Sequence, residues 1–223
     1  YCVDGSLERR NAEAGDLLLL HRPDALKEPE EVAEACDTRK EQGKVRAFGV
    51  SNNNPMQIEL LNQAAKGAVK VNQIQFSVAH CPTIDTGLNV NMYNNESCDR
   101  DGSVLEYCRL KNITVQAWSP FQYGMFEGIF IGSEKYPKLN EVLNRLAETY
   151  VTTPNGIAVA WILRHPAGIQ TIVGTMNEKR LSDVAKEAAI VLTREEWYEQ
   201  YQDAGKMMPK ERKEQANDTS QMY

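Results

Sequence analysis

The sequence predicts an α/β protein with a parallel sheet, arranged as a (β/α)8 TIM barrel of which about five βα units are present. Two observations support this fold class. Short apolar runs alternate along the chain with stretches of helical period. Several runs end abruptly in polar residues, as in LLLLHRPD (17–24) and VRAFGVSN (45–52), which is typical of buried strands whose carboxyl ends open onto a ligand site.

In the first third of the chain, strands are expected at 17–20, 45–50 and 69–74. Glu28-Pro29 begins a helix with proline and acidic residues in its first turn, and Gly43 ends it. The run Asn54-Pro55-Met56-Gln57 combines a cap residue, a proline at the first helical position and a capping-box glutamine. The strands and helices therefore alternate as a barrel requires.

The remainder contains two long segments between regular elements. About 27 residues after the third strand are rich in Asn, Asp, Thr, Ser and Gly, and a loop of that length is usually functional or disordered. Further elements are a helix at 104–110, a strand at 113–118, a Gly- and aromatic-rich loop at 120–136, two helices starting near 137 and 154, a strand at 169–173, and a helix from about 177. Thr193-Arg194-Glu195-Glu196 is a capping-box pattern that predicts one further helix. We expect one barrel domain at 1–208 and a disordered polar tail at 209–223.

Composition narrows the class of protein. The formal charge of −6 and the lack of a basic stripe argue against a nucleic-acid partner. The apolar runs are too short to span a bilayer, so no membrane association is expected. Five cysteines without CxxC pairing are typical of reduced thiols in a cytoplasmic protein. The oligomeric state is left open.

Five segments together resemble a known family. LLLLHRPD, GKVRAFGVSN, VNQIQ, AWSP and IVGTMNEKRL, in this order and spacing, look like the C-terminal two-thirds of an aldo/keto reductase, with the resemblance covering residues 3–207. The resemblance implies a TIM-barrel oxidoreductase that uses NADP(H) to reduce an aldehyde or ketone, its small-molecule carbonyl substrate. A Rossmann fold has no support, because no GxGxxG is present.

His21 is the candidate catalytic residue. In this family the matching histidine lies beside the reacting carbonyl, and a neutral imidazole can donate a hydrogen bond to the oxygen as it becomes an alkoxide. Taken alone, a histidine at this position would more often cap a strand end. The motifs that follow favour the catalytic interpretation.

The remaining candidate residues are implied by the resemblance to bind the cofactor. Ser51, Asn52 and Gln73 would bind the nicotinamide carboxamide, an amide that needs both donors and acceptors. Trp118 would stack on the nicotinamide ring and Ser119 would contact the pyrophosphate. Further contacts are implied near the adenine end of the nucleotide, and position 121 is a weaker candidate. The full set is Ser51, Asn52, Gln73, Trp118, Ser119, Phe121, Gly174, Thr175, Met176, Arg180 and Asp183.

At the adenine end, Thr175 and the free amides of a helix N-terminus suit a phosphate. Arg180, in the first turn of that helix, suits the 2′-phosphate of NADP(H). Asp183 stands where the family often has a glutamate that contacts adenine. In isolation, an arginine in a first helical turn is usually a solvated charge.

Two further expectations concern the protein's extent and its substrate. The family's catalytic aspartate, tyrosine and lysine lie on strands before residue 1, so we expect a longer parent protein and little activity from residues 1–223 alone. Alternatives are a non-catalytic nucleotide- or partner-binding relative and an auxiliary channel-type subunit on the same fold. The loops at 77–101 and 121–132 should line the substrate pocket, with an apolar wall built from Tyr93, Phe121, Tyr123, Met125 and Phe126.

Overall fold

The computed structural model describes residues 2–209, except for the side chains of Cys2, Arg180, Asp183 and Glu187. Five strands form one parallel sheet in sequence order: β1 (Gly15–Leu20), β2 (Val45–Ser51), β3 (Val69–Gln75), β4 (Thr114–Trp118) and β5 (Gln170–Thr171). The predicted α/β class and its five βα units are confirmed, and within the described residues the sheet stays open. Most of the tail predicted at 209–223 lies outside these residues.

Nine α-helices are found in the described part of the chain, and proline starts five of them. They are α1 (Cys2–Arg9), α2 (Pro29–Glu41), α3 (Pro55–Ala64), α4 (Pro82–Leu88), α5 (Val104–Leu110), α6 (Pro137–Thr149), α7 (Pro154–Leu163), α8 (Glu178–Glu187) and α9 (Arg194–Asp203). None of these helices has the length and apolar character needed to cross a bilayer.

Both predicted capping boxes are present. Before α3, the Gln57 backbone N–H donates to Asn54 Oδ1 at 2.9 Å, and the Asn54 N–H donates to Gln57 Oε1 at 3.0 Å. Before α9, Thr193 and Glu196 make the same reciprocal pair at 3.2 and 2.8 Å. Each box satisfies two backbone donors that the helix itself cannot use, which fixes where the helix begins.

Two expectations about local structure differ from what is observed. The segment after β3 was expected to be a loop, yet it contains α4 and a 3₁₀ turn at Asn95–Ser97. The sequence signal for α4 is weak because Thr, Ile and Gly have low helix propensity, and tertiary packing overrides it. The last strand is also shorter than the predicted 169–173, since only Gln170 and Thr171 pair with β4.

The core lies between the sheet and the helices that cover its outer face. Trp161 of α7 and Trp197 of α9 stack with ring centroids 4.6 Å apart, and each indole N–H donates to the other's backbone carbonyl at 3.0 Å. The buried ring of Tyr201 extends this stack. Because the polar ends of both indoles are satisfied inside the core, this pair fastens α9 to the barrel wall.

A buried polar cluster joins α4 to the chain that follows α9. Asp85 accepts a hydrogen bond from the Tyr201 hydroxyl at 2.8 Å and pairs with Lys206 Nζ, also at 2.8 Å. The side chains of Asp85 and Lys206 are only 13% and 17% exposed. We call Asp85, Tyr201 and Lys206 the Asp85 cluster. It holds α4, and with it the segment that follows β3, against the C-terminal helix.

Candidate active site

The carboxyl ends of β2, β3 and β4 bring four of the predicted residues into one hydrogen-bonded group. Ser51 Oγ donates to the Gln73 carbonyl at 2.9 Å, and Asn52 Nδ2 donates to Ser51 Oγ at 2.8 Å. The Trp118 indole N–H donates to Asn52 Oδ1 at 3.3 Å. The structure therefore places Ser51, Asn52, Gln73 and Trp118 together, as the parallel register of the three strands requires.

Two residues at these strand ends adopt left-handed backbone conformations. Asn52 has a φ of 53° and Ser119 a φ of 52°. Asparagine tolerates this region better than most residues, because its short amide can hydrogen-bond locally. A strained backbone at a strand end is common where a side chain must be aimed at a ligand. At Asn52 the turn directs the amide toward Trp118.

His21 follows β1 directly, and its side chain is exposed. The pairing of Leu20 with Val50 puts His21 level with Ser51, at the same end of the sheet as the group above. Its imidazole makes no hydrogen bond with any other residue that the structure describes. The next residue, Arg22, lies with its guanidinium carbon 5.9 Å from the centroid of the Trp118 ring. The end of β1 thus reaches the end of β4.

Gln73 also begins a row of glutamines beneath this group, and sequence reasoning missed its other two members, Gln116 and Gln170. Gln73 Nε2 donates to Gln116 Oε1 at 2.9 Å, and Gln116 Nε2 donates to Gln170 Oε1 at 3.1 Å. The row crosses β3, β4 and β5 on the sheet face opposite the helices. Its sequence signal is the two-residue spacing of Gln73 and Gln75, and of Gln116 and Trp118, in otherwise apolar strands. The row supports the group at the strand ends from below.

A first cavity, of about 430 Å³, opens over the ends of β2, β3 and β4. Trp118, Asn52 and Gln75 line it on the sheet side. Its other walls come from Arg22 and Pro23 after β1, from His80 and α4, and from Arg100 and Asp101 before α5. We call it the Trp118 cavity. Its volume is in the range of small-molecule sites.

A second cavity, of about 460 Å³, lies beyond β5. Phe121, Gly174 and Thr175 line it together, so the structure brings three more of the predicted residues to one place. Thr175 Oγ1 accepts a hydrogen bond from the Asn177 N–H at 3.2 Å, just before α8. Met176 is fully exposed. We call this the β5 cavity.

The cofactor roles of all these residues stay predictions, and for two of them the structure describes only the backbone. Arg180 and Asp183 are both within α8, but their side chains lie outside the described part of the chain. Ser119 lies between Trp118 and Phe121, and its carbonyl accepts a hydrogen bond from the Gln122 N–H at 3.1 Å.

The apolar wall expected for the substrate pocket is wrong for the Trp118 cavity. Of the five residues named for it, only Met125 lines this cavity. Phe121 faces the β5 cavity, Tyr123 packs against Tyr136 with centroids 5.3 Å apart, and Tyr93 and Phe126 point to solvent. Where a loop side chain points depends on how the loop folds against the rest of the molecule, which its residue types do not reveal.

Comparisons with known proteins show the family to which the chain belongs. A family model described as the aldo/keto reductase family matches residues 1–202. The 6-dehydroglucose reductase of Agrobacterium fabrum is 32% identical over 200 residues, which are 89% of this chain and 60% of that protein. The uncharacterized oxidoreductase YcsN of Bacillus subtilis is 32% identical over 198 residues, or 88% of this chain and 60% of its own length.

Among solved structures, an aldo-keto reductase from Klebsiella pneumoniae in complex with NADPH superimposes with a TM-score of 0.71. It is 24% identical, and the match covers 94% of this chain and 64% of that one, so it shows the shared fold. The chain spans about 60% of the length of the curated relatives described above. On the family match and these relatives, the chain belongs to the aldo/keto reductase family.

Proposed function

We propose that the protein containing this chain reduces an aldehyde or ketone to an alcohol with NADP(H) as hydride donor. The observation that carries the proposal is the contact between Asn52 and Trp118, which joins an amide and a flat aromatic face at the strand ends. These two groups suit the carboxamide and the ring of a nicotinamide. The cavities on either side of the strand ends offer room for the substrate and for the rest of the dinucleotide.

The free hydrogen-bonding capacity of the group fits a carboxamide. Asn52 uses one amide N–H for Ser51 and one lone pair for Trp118, which leaves one donor and one acceptor. Gln73 uses one N–H for Gln116, and both lone pairs of its oxygen are left for a further donor. A carboxamide offers a matching donor and acceptor, so Asn52 and Gln73 would fix its orientation.

This chain's own residues would orient the nicotinamide ring and stabilise the negative charge that develops on the carbonyl oxygen. When bound, the cofactor supplies the hydride. Trp118 would cover one face of the nicotinamide and leave the other to the substrate, which sets the stereochemistry of transfer. His21, at the end of β1, would donate a hydrogen bond to the carbonyl oxygen as negative charge develops on it.

The adenine end is assigned to the β5 cavity. Its wall at Gly174 and Thr175 leads directly into α8, whose first backbone N–H groups suit a phosphate. We assign the 2′-phosphate to Arg180 and the adenine contact to Asp183, and Met176 and Ser119 to the path between. We also place the protein in the cytosol, which is supported by the free thiols of Cys36, Cys81, Cys98 and Cys108.

Cofactor binding by Asn52 variants tests the proposal. In the full-length protein, Asn52→Ala should weaken NADPH about 10-fold, because two hydrogen bonds to the carboxamide are lost. Calorimetric titration measures this, and Asn144→Ala, at an exposed position on α6, is the matched control. Unchanged affinity in Asn52→Ala would contradict the assignment. Tight NADPH binding with no reduction of any carbonyl compound would favour the non-catalytic alternative.

A further inference from the structure

The Trp118 cavity is lined by polar groups whose hydrogen bonds are incomplete. Four of its residues carry a buried polar side-chain atom with no partner in the described part of the chain: Asn53 Oδ1, Gln75 Nε2, Thr83 Oγ1 and Asp101 Oδ1. Leaving a buried polar atom without a partner costs free energy, so such atoms rarely gather in one place without a reason. Gln75 adjoins Trp118 in the β3–β4 register, where a substrate would meet the nicotinamide.

Two arginines, Arg22 and Arg100, line the cavity together with one carboxyl group, that of Asp101. Arg22 contacts the Trp118 ring and Met125 Sδ, the latter at 3.7 Å. Arg100 donates to the carbonyls of Asn95 and Cys98 and to Asn95 Oδ1, at 2.9–3.2 Å, and all three oxygens are neutral. Within residues 2–209, neither guanidinium is in an ion pair. This contrasts with the net charge of −6 over the whole chain.

Two further titratable groups, Asp101 and His80, complete the wall. Burial raises the pKa of the Asp101 carboxyl, and this single acidic group faces two arginines. Burial, helped by the nearby Lys206 ammonium, lowers the pKa of His80. A neutral imidazole has one donor and one acceptor nitrogen, a combination that suits a hydroxyl group.

We propose that the substrate is a hydroxylated carbonyl compound that carries a carboxylate or phosphate group, with Arg22 and Arg100 binding the anion and Gln75 and His80 the hydroxyls. The inference rests on the proposed carbonyl reduction and adds the substrate class. The anion is distinct from the phosphates of the dinucleotide, which are assigned to the β5 cavity on the other side of the Trp118 strand. A guanidinium is well suited to carboxylate and phosphate alike, so the two sources share one chemistry.

Steady-state kinetics on the full-length protein with NADPH tests the substrate class and distinguishes a carboxylate from a phosphate. The substrates are glyceraldehyde 3-phosphate and glyceraldehyde, glucuronate and glucose, and hexanal as an apolar reference. The anionic member of at least one pair should have a kcat/KM about 10-fold or more above its neutral counterpart, and the preferred pair identifies the anion. If the neutral compounds or hexanal are reduced as well as the anionic ones, the inference is overturned while the proposed function stands.

Substitutions at Arg100 link any preference to this cavity. Arg100→Gln should raise the KM for the preferred anionic substrate about 10-fold and change the KM for its neutral counterpart less than about 2-fold. Arg100→Lys keeps the charge and should retain most of the preference. Arg9→Gln, at an exposed position on α1, is the matched control. An equal rise for charged and neutral substrates would overturn the assignment of Arg100.

A binding measurement gives a readout that does not depend on turnover. Glycerol 3-phosphate is the reduction product of glyceraldehyde 3-phosphate, and gulonate is that of glucuronate, so both can be titrated as ligands by calorimetry. One of them should bind wild-type protein about 10-fold more tightly than Arg100→Gln. Such binding in a protein that reduces none of the five compounds would support the cavity assignment and contradict the carbonyl reduction. Equal binding to wild type and variant would overturn the cavity assignment.

Discussion

The Asp85 cluster makes a quantitative prediction about stability. In Lys206→Met, the Asp85 carboxylate stays buried but loses the ammonium 2.8 Å away, and only the Tyr201 hydroxyl and the weak Cys81 S–H donor remain bonded to it. Breaking one partner of a buried pair typically costs about 3–5 kcal/mol, because the other charge is left uncompensated. Both side chains here keep some exposure, 13% for Asp85 and 17% for Lys206. We therefore expect a loss of about 2–4 kcal/mol in the free energy of unfolding.

Thermal unfolding of the full-length protein, followed by circular dichroism, measures this loss. For a domain of this size, about 1 kcal/mol corresponds to about 2–4 °C in Tm, so Lys206→Met should melt about 5–15 °C below wild type. The double variant Lys206→Met/Asp85→Asn removes the stranded charge but keeps an oxygen that accepts from Tyr201. It should recover part of the loss.

A matched surface pair provides the control. Lys111 and Glu59 also form an ion pair, but their side chains are 51% and 39% exposed, so Lys111→Met should cost less than about 1 kcal/mol. A Tm within about 2 °C of wild type would mean that Lys206→Met loses less than about 1 kcal/mol in the free energy of unfolding. That result would refute the claim that this charge pair holds α4 in place. A double variant less stable than the single one would also refute it.

Three further predictions concern catalysis, the cofactor and pH. His21→Ala should lower kcat far more than it weakens NADPH, and turnover at the wild-type rate would return His21 to a structural role at the strand end. Arg180→Ala should weaken NADPH by about 1.5–3 kcal/mol and leave NADH nearly unchanged, as judged by the two dissociation constants, whereas equal weakening would contradict a 2′-phosphate contact. Burial, with a contribution from Arg109, lowers the pKa of His165 to about 4, and its neutral Nδ1 accepts from the Ala167 N–H at 3.2 Å. As the pH falls, the histidine of the unfolded state binds a proton before that of the folded state. The stability contributed by neutral His165 is therefore present above pH ~6.5 and lost between pH ~6.5 and pH ~4. In urea unfolding, the free energy of unfolding should fall between pH 7.5 and pH 4.5 by about 1–2 kcal/mol more in wild type than in His165→Gln, and an equal fall in both would contradict the prediction.

The order of strands and helices could be predicted from the sequence, because its signals are local. Asn54 and Thr193 predict the start of a helix because Gln57 and Glu196 follow them three positions later, and both capping boxes form as predicted. The strand ends could be predicted for the same reason, since each apolar run stops at a polar residue. The grouping of Ser51, Asn52, Gln73 and Trp118 then follows from parallel pairing, in which the carboxyl ends of all strands meet at one edge.

Long-range contacts decided what lies around those strand ends. Helix α4 has weak intrinsic propensity and is held by Tyr201 and Lys206, which are more than 100 residues away in sequence. The loops that line the Trp118 cavity make further long-range contacts: Arg22 donates to Met125 Sδ, and Ser77, which forms the turn with His80, donates from its hydroxyl to the Gln122 carbonyl. Composition alone suggested an apolar wall from Tyr93 and Phe126, which in fact point to solvent. The sequence by itself determined which end of the sheet carries the chemistry, because the end of each strand is marked by neighbouring residues. Tertiary structure alone decided the polarity and charge of the cavity there, because the loops around it are held against one another by residues far apart in sequence.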